Sequence, residues 1–200
     1  VGRYRGTLSG HSAVQLGVLT VQELLRRAEI DASSGIVDEV LFGQVLQAGA
    51  GQAPARQVTL GAGLPVSTPA TTINKVCGSS LKAVMMAANS IRAGEYNVIV
   101  AGGMESMTNA PYFAQKLSRT EFSELQPSMI YDGLWDVYND EHMGNTGETI
   151  SEEFEISREV ADSFSVRSHQ LAQAAWDNGW MDFEAFSVGD LHQDEGIQTN

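Results

Sequence analysis

The chain has 200 residues, 42% of them hydrophobic and 8% aromatic. That suffices for one domain, or one domain and part of another, and it excludes disorder, collagen and coiled coil. With 25 acidic against 12 basic residues the net charge is −13, a field that repels both nucleic acid and anionic membrane surfaces. One cysteine leaves no intrachain disulfide and fits a reducing compartment, and no run approaches the ~20 apolar residues of a membrane span. No signal peptide is visible. Cytoplasm is the default expectation, but the first residue is Val1 rather than methionine, so a targeting segment could have been lost and an organelle matrix stays open.

In chain order, residues 1–10 read as a loop. A helix is expected from Ser12, with Val14, Val18, Val21, Leu25 and Ala28 at helical spacing and Arg26 and Arg27 in its last turn, where cations suit the dipole. Residues 31–35 are turn chemistry. A strand region follows over 37–46, its Val40-Leu41-Phe42 run suited to burial on both faces, and then a short helix over 54–62. Residues 69–76 form a β-rich run into Cys77-Gly78-Ser79-Ser80, a helix spans 81–92 up to Gly94, and 97–101 is a strand ending at Gly102-Gly103. Strand, tight turn, helix and strand make the βαβ unit of a parallel sheet, so the class is α/β. Residues 109–140 show no period and read as a long excursion. Helices are expected over 144–153 and 157–178, the second with Val160, Phe164, Leu171 and Ala175 on one side; the chain beyond 181 gives no clear pattern.

Cys77 falls at the junction of a strand and a helix. A helix N-terminus favours a thiolate through its dipole and free N–H groups, and the same amides can hold an oxyanion. The helix behind it carries Ala83-Val84-Met85-Met86-Ala87-Ala88 consecutively, so apolar side chains cover its whole circumference and burial on every side is expected. The plainer reading is that a lone cysteine among apolar residues is a small buried hydrophobe.

The segment Asn74-Lys75-Val76-Cys77-Gly78-Ser79-Ser80-Leu81-Lys82-Ala83-Val84 resembles the nucleophile segment of thiolases. Ile91-Arg92-Ala93-Gly94 and Val98 through Met107 resemble the strand that follows it in that family. Gln47-Ala48-Gly49 and Gly51 to Gln57 agree upstream, and Asp132 to Asp136 with His142-Met143-Gly144 agree downstream. The acetyl-CoA acetyltransferase branch fits best.

The resemblance implies a thiolase-like layered αβαβα fold, of which this chain is the N-terminal half with part of the inserted loop domain. Residues 1–105 would form the N-terminal α/β domain, lacking the family's first strand before Gly2-Arg3-Tyr4, and 106–200 a loop domain incomplete at its C-terminal end. Cys77 would take up the acyl group as a thioester, with its N–H in an oxyanion hole. Leu134, His142 and Met143 would lie beside the pantetheine arm of coenzyme A. Acyl-CoA and CoA are the implied partners, as substrates rather than bound cofactors. The family's activating histidine and second cysteine lie in the C-terminal half, which is needed to complete the site. A homodimer or homotetramer is also implied. The chain's acidity must then be offset locally, or by residues outside it, where polyanionic coenzyme A binds.

Apart from the resemblance, His142 reads as a loop histidine, and His11, His169 and His192 as solvated surface residues. Asn74 could orient the turn around Cys77 or merely bond within it. Gly102 and Gly103 shape the strand exit, with Glu105 neutralised by a partner. One cysteine and four scattered histidines give no metal-ligand spacing. Two other functions compete with acyl transfer between CoA thiols: a ketoacyl-synthase-type condensing enzyme, which places a cysteine similarly, and a non-catalytic acyl-CoA or lipid carrier. The His142-Met143-Gly144 and Gly102-to-Met107 segments oppose the first, and the intact flank of Cys77 opposes the second.

Overall fold

A computed structural model describes residues 1–198. These residues form two compact units, one of residues 11–133 and one of residues 1–10 with those from Leu134 onward.

The first unit is built on a three-stranded parallel sheet. Helix α1 (Ala13–Arg27) opens it, capped by a reciprocal pair. The Ser12 hydroxyl accepts the Gln15 N–H at 3.2 Å, and the Gln15 side chain accepts the Ser12 N–H at 2.8 Å. Arg26 and Arg27 both bind Glu23, at 2.7 and 2.6 Å. The Arg26 contact, followed by that of Arg27, pulls the Glu23 carboxyl down to about 2. Strand β1 (Glu39–Gly43), helix α2 (Pro54–Gly61), strand β2 (Ala70–Ile73), helix α3 (Ser79–Ala93) and strand β3 (Ile99–Gly103) follow. The order is β2-β1-β3, with Val40 beside Ala70 and Val100. The βαβ unit is therefore present, but its two strands are not neighbours: β1 lies between them. β1 and β2 are shorter than the expected runs over 37–46 and 69–76, and β3 is shifted two residues beyond the expected 97–101.

Side chains alternate across β1. Val40 and Phe42 join Val100, Val21, Leu25, Ala55 and Val58 in the core beneath α1 and α2. Leu41 faces the other way, onto Ala83 and Ala87 of α3. The Val40-Leu41-Phe42 run is buried throughout, as a strand covered by helices on both faces requires.

Within this chain the sheet covers only one side of α3. Ser79, Ala83 and Ala87 are buried against the sheet, whereas Leu81 (67%), Val84 (49%), Met85 (53%) and Ile91 (44%) are exposed. Consecutive helical residues point about 100° apart, so one sheet can cover only part of such a helix. No element among the described residues covers the rest.

The excursion forms short ladders, β4 (Tyr112–Phe113) with β5 (Gln126–Pro127), then a π-helical turn at Met129–Leu134. In the second unit a hairpin of β6 (Trp135–Asp136) and β7 (Glu141–His142) leads to α4 (Asn145–Glu153) and α5 (Arg158–Asp177). Val160, Phe164 and Leu171 of α5 are exposed among the described residues.

Candidate active site

The chain leaves β2 at Ile73 and reaches α3 at Ser79 through a tight turn that carries Cys77. Gly78 caps the helix, so Cys77 stands immediately before the cap, and it is exposed. Exposure removes the reading of Cys77 as a packed hydrophobe.

The turn is fixed from within. Val76 has a φ of +47°, in the left-handed region that β-branched residues avoid. The Asn74 side-chain oxygen accepts the Val76 N–H at 3.0 Å. The Ser79 hydroxyl accepts the Lys75 N–H at 2.8 Å and donates to the Val76 carbonyl at 2.6 Å. The Gly78 N–H donates to the Lys75 carbonyl at 3.0 Å. Sequence reading missed Ser79; its only signal was a hydroxyl two residues past a cysteine at a helix start.

Glycines at the strand ends seat the helix head. A Cβ on Gly103 would meet the Ser80 hydroxyl at 2.0 Å, so Gly103 serves close packing of α3 on β3. The carboxylate of Glu105, just beyond, is held by backbone N–H donors. One carboxylate oxygen accepts the Val45 and Leu46 N–H groups, each at 3.0 Å, and the other accepts that of Ser106 at 3.3 Å.

In the second unit, Leu134, His142 and Met143 meet at the base of the β6–β7 hairpin. The Met143 N–H donates to the Leu134 carbonyl at 2.8 Å, and His142 lies across from Trp135. The half-buried His142 ring accepts the Gly144 N–H on Nδ1 at 2.9 Å. A backbone N–H can only donate, so the neutral ring carries its proton on Nε2, where it is a donor. Met143 is 45% exposed and offers a thioether surface. Asp136 ties off the hairpin: the Asn139 amide, then the Tyr138 N–H, holds its carboxyl below the usual range.

His11 and His169 are half-buried rather than solvated. The His11 carbonyl accepts from Ser106 and Asn109, and His169 Nδ1 accepts the Gln198 N–H at 3.1 Å. His192 is exposed beside Ser187. Among the described residues no three His, Cys, Asp or Glu side chains gather as metal ligands, and no helix is long and apolar enough to cross a membrane.

The sequence profile of the thiolase N-terminal domain matches residues 1–198. The chain belongs to the thiolase family. It is 50% identical over 181 residues to the mitochondrial acetyl-CoA acetyltransferase A of Xenopus laevis, covering 90% of this chain and 42% of that one. It is 50% identical over 182 residues to an acetyl-CoA acetyltransferase of Pseudomonas aeruginosa, covering 90% and 46%. The crystal structure of the Acat5 thiolase from Ascaris suum in complex with coenzyme A superposes with a TM-score of 0.91 at 34% identity, over 98% of this chain and 52% of that one. The fold is thus thiolase-like, and the chain spans about half the length of these relatives.

Proposed function

We propose that this chain is the N-terminal half of an acetyl-CoA acetyltransferase, which condenses two acetyl-CoA into acetoacetyl-CoA and CoA, or cleaves 3-ketoacyl-CoA in reverse. One observation carries the reading. Within a sequence half identical to acetyl-CoA acetyltransferases, the chain's sole cysteine is exposed in a fixed turn at the head of a 15-residue helix.

Cys77 acts as the nucleophile. Its thiolate attacks the thioester carbonyl of acetyl-CoA, the acetyl–sulfur bond to CoA breaks, and CoA leaves as the thiol once protonated. The Cys77 N–H serves the oxyanion. Leu134 and Met143 supply apolar walls for the pantetheine arm, and His142 Nε2–H a donor to its amide groups. The thiol-activating base and the acid that completes each half-reaction come from the C-terminal half. The uncovered face of α3 supports this division, because Leu81, Val84, Met85 and Ile91 need a covering partner. The working enzyme is a homodimer or homotetramer.

The test is thiolysis of acetoacetyl-CoA by the full-length protein. Cys77→Ala should lower turnover by about 10⁴-fold or more. Turnover near wild type in that variant removes Cys77 from the chemistry. Turnover from residues 1–200 alone, near that of the full-length protein, would show that no second half is needed.

A further inference from the structure

A β-branched residue does not rest at positive φ unless its surroundings hold it there. At Val76 both backbone polar groups are held by side chains: Asn74 takes the N–H and Ser79 the carbonyl. Ser79 also takes the Lys75 N–H, so one hydroxyl bridges the Asn74–Lys75 and Val76–Cys77 peptides across the strained residue. The two clamps differ in their anchorage. Asn74 is exposed, whereas Ser79 is 4% exposed and wedged against the end of β1, where even a methyl group on Gly43 would strike it at 2.6 Å. The position of the sheet is thereby passed through Ser79 to the residue before Cys77.

We propose that Ser79, assisted by Asn74, is a positioning residue that holds Val76 in its left-handed conformation and so fixes the direction of the Cys77 thiol. The inference rests on the reading of Cys77 as nucleophile. Relaxation of Val76 to negative φ rotates the peptide joining it to Cys77 and swings the thiol. A reacting atom misplaced by about 1 Å costs roughly a hundredfold in rate, without a matching loss of substrate affinity.

The experiment compares wild type, Ser79→Ala, Asn74→Ala and the double variant Ser79→Ala/Val76→Gly in the full-length protein. It measures kcat and KM for acetoacetyl-CoA, and acetylation of Cys77 by mass. Ser79→Ala should lower kcat by about ten- to a hundredfold with KM within about threefold, and Asn74→Ala should lower it by about threefold. Glycine adopts positive φ without penalty, so the double variant should recover about fivefold or more over Ser79→Ala. A kcat for Ser79→Ala within about twofold of wild type overturns the proposal, as does a loss that Val76→Gly leaves unchanged. Should Ser79→Ala not fold, exposed Asn74 decides: a fall in kcat at constant KM supports the clamp, and an unchanged kcat overturns it. A wild type that takes no acetyl group on Cys77 overturns the nucleophile reading itself, which separates the two failures.

Discussion

Gly43 and Ser79 lie so close that a Cβ on Gly43 would stand 2.6 Å from the Ser79 Cβ and 2.9 Å from its carbonyl carbon. The end of β1 and the head of α3 are therefore in backbone contact, and the helix start cannot shift without the sheet. Gly43→Ala should force them apart and cost about 1–3 kcal/mol, a figure typical of overpacking. Thermal unfolding would register this as a lowered midpoint; an unchanged midpoint means the contact yields freely.

Glu105 joins the exit of β3 to that of β1. Glu105→Ala leaves the Val45 and Leu46 N–H groups without their shared acceptor and should destabilise the protein by about 1–3 kcal/mol. Hydrogen exchange at these two amides should speed up in the variant before other core amides do. Exchange rates equal to wild type would mean that other acceptors take over.

Glu195 has its carboxyl lowered to about 2, chiefly by the Thr7 hydroxyl and then by the Arg3 and Thr7 N–H groups. A lowered value means that its stabilising effect is complete above the ordinary carboxylate range, near 4.5, and is lost as pH falls toward 2. Protection of the Arg3 and Thr7 amides should fall across that window in wild type. In Glu195→Gln it should be low already at neutral pH and nearly flat.

Leu134 and Met143 test the proposed coenzyme A channel. Met143→Ala should weaken CoA binding by about 1–2 kcal/mol, roughly five- to thirtyfold in Kd, through lost apolar contact. Alkylation of Cys77 by a small reagent should barely change. Unaltered affinity in both Met143→Ala and Leu134→Ala would move the binding site elsewhere.

Much of this was legible in the residues, for reasons that differ by element. The spacing of Val21 and Leu25 marks α1, because a helix must bury one stripe, while its Ser12–Gln15 capping box emerged only in the structure. Val40-Leu41-Phe42 marks β1, because a strand covered on both faces buries consecutive apolar residues. The all-round apolar pattern of α3 was read correctly as a demand for cover, yet a pattern cannot say whether the cover lies in the same segment. Residues 109–140 were opaque because local hydrogen bonds rather than periodic burial hold them. Ser128, wholly buried, donates to the Pro111 carbonyl through both its N–H and its hydroxyl, and the Ser123 N–H donates to the Gln115 carbonyl while its hydroxyl accepts the Gln115 N–H. The left-handed Val76 was invisible, since nothing in a valine predicts positive φ. Cys77, Leu134, His142 and Met143 as a set came from the family resemblance, not from their spacing.

The central claim is that Cys77 carries the acyl group, and one measurement bears on it directly. The full-length protein is mixed with acetyl-CoA, quenched in acid within milliseconds and weighed intact, and its peptides are then mapped. One added acetyl group, located on the peptide containing Cys77 and absent from Cys77→Ala, is the predicted result. An acetyl group on another residue, or turnover by wild type with no acetylated protein at any quench time, would contradict it.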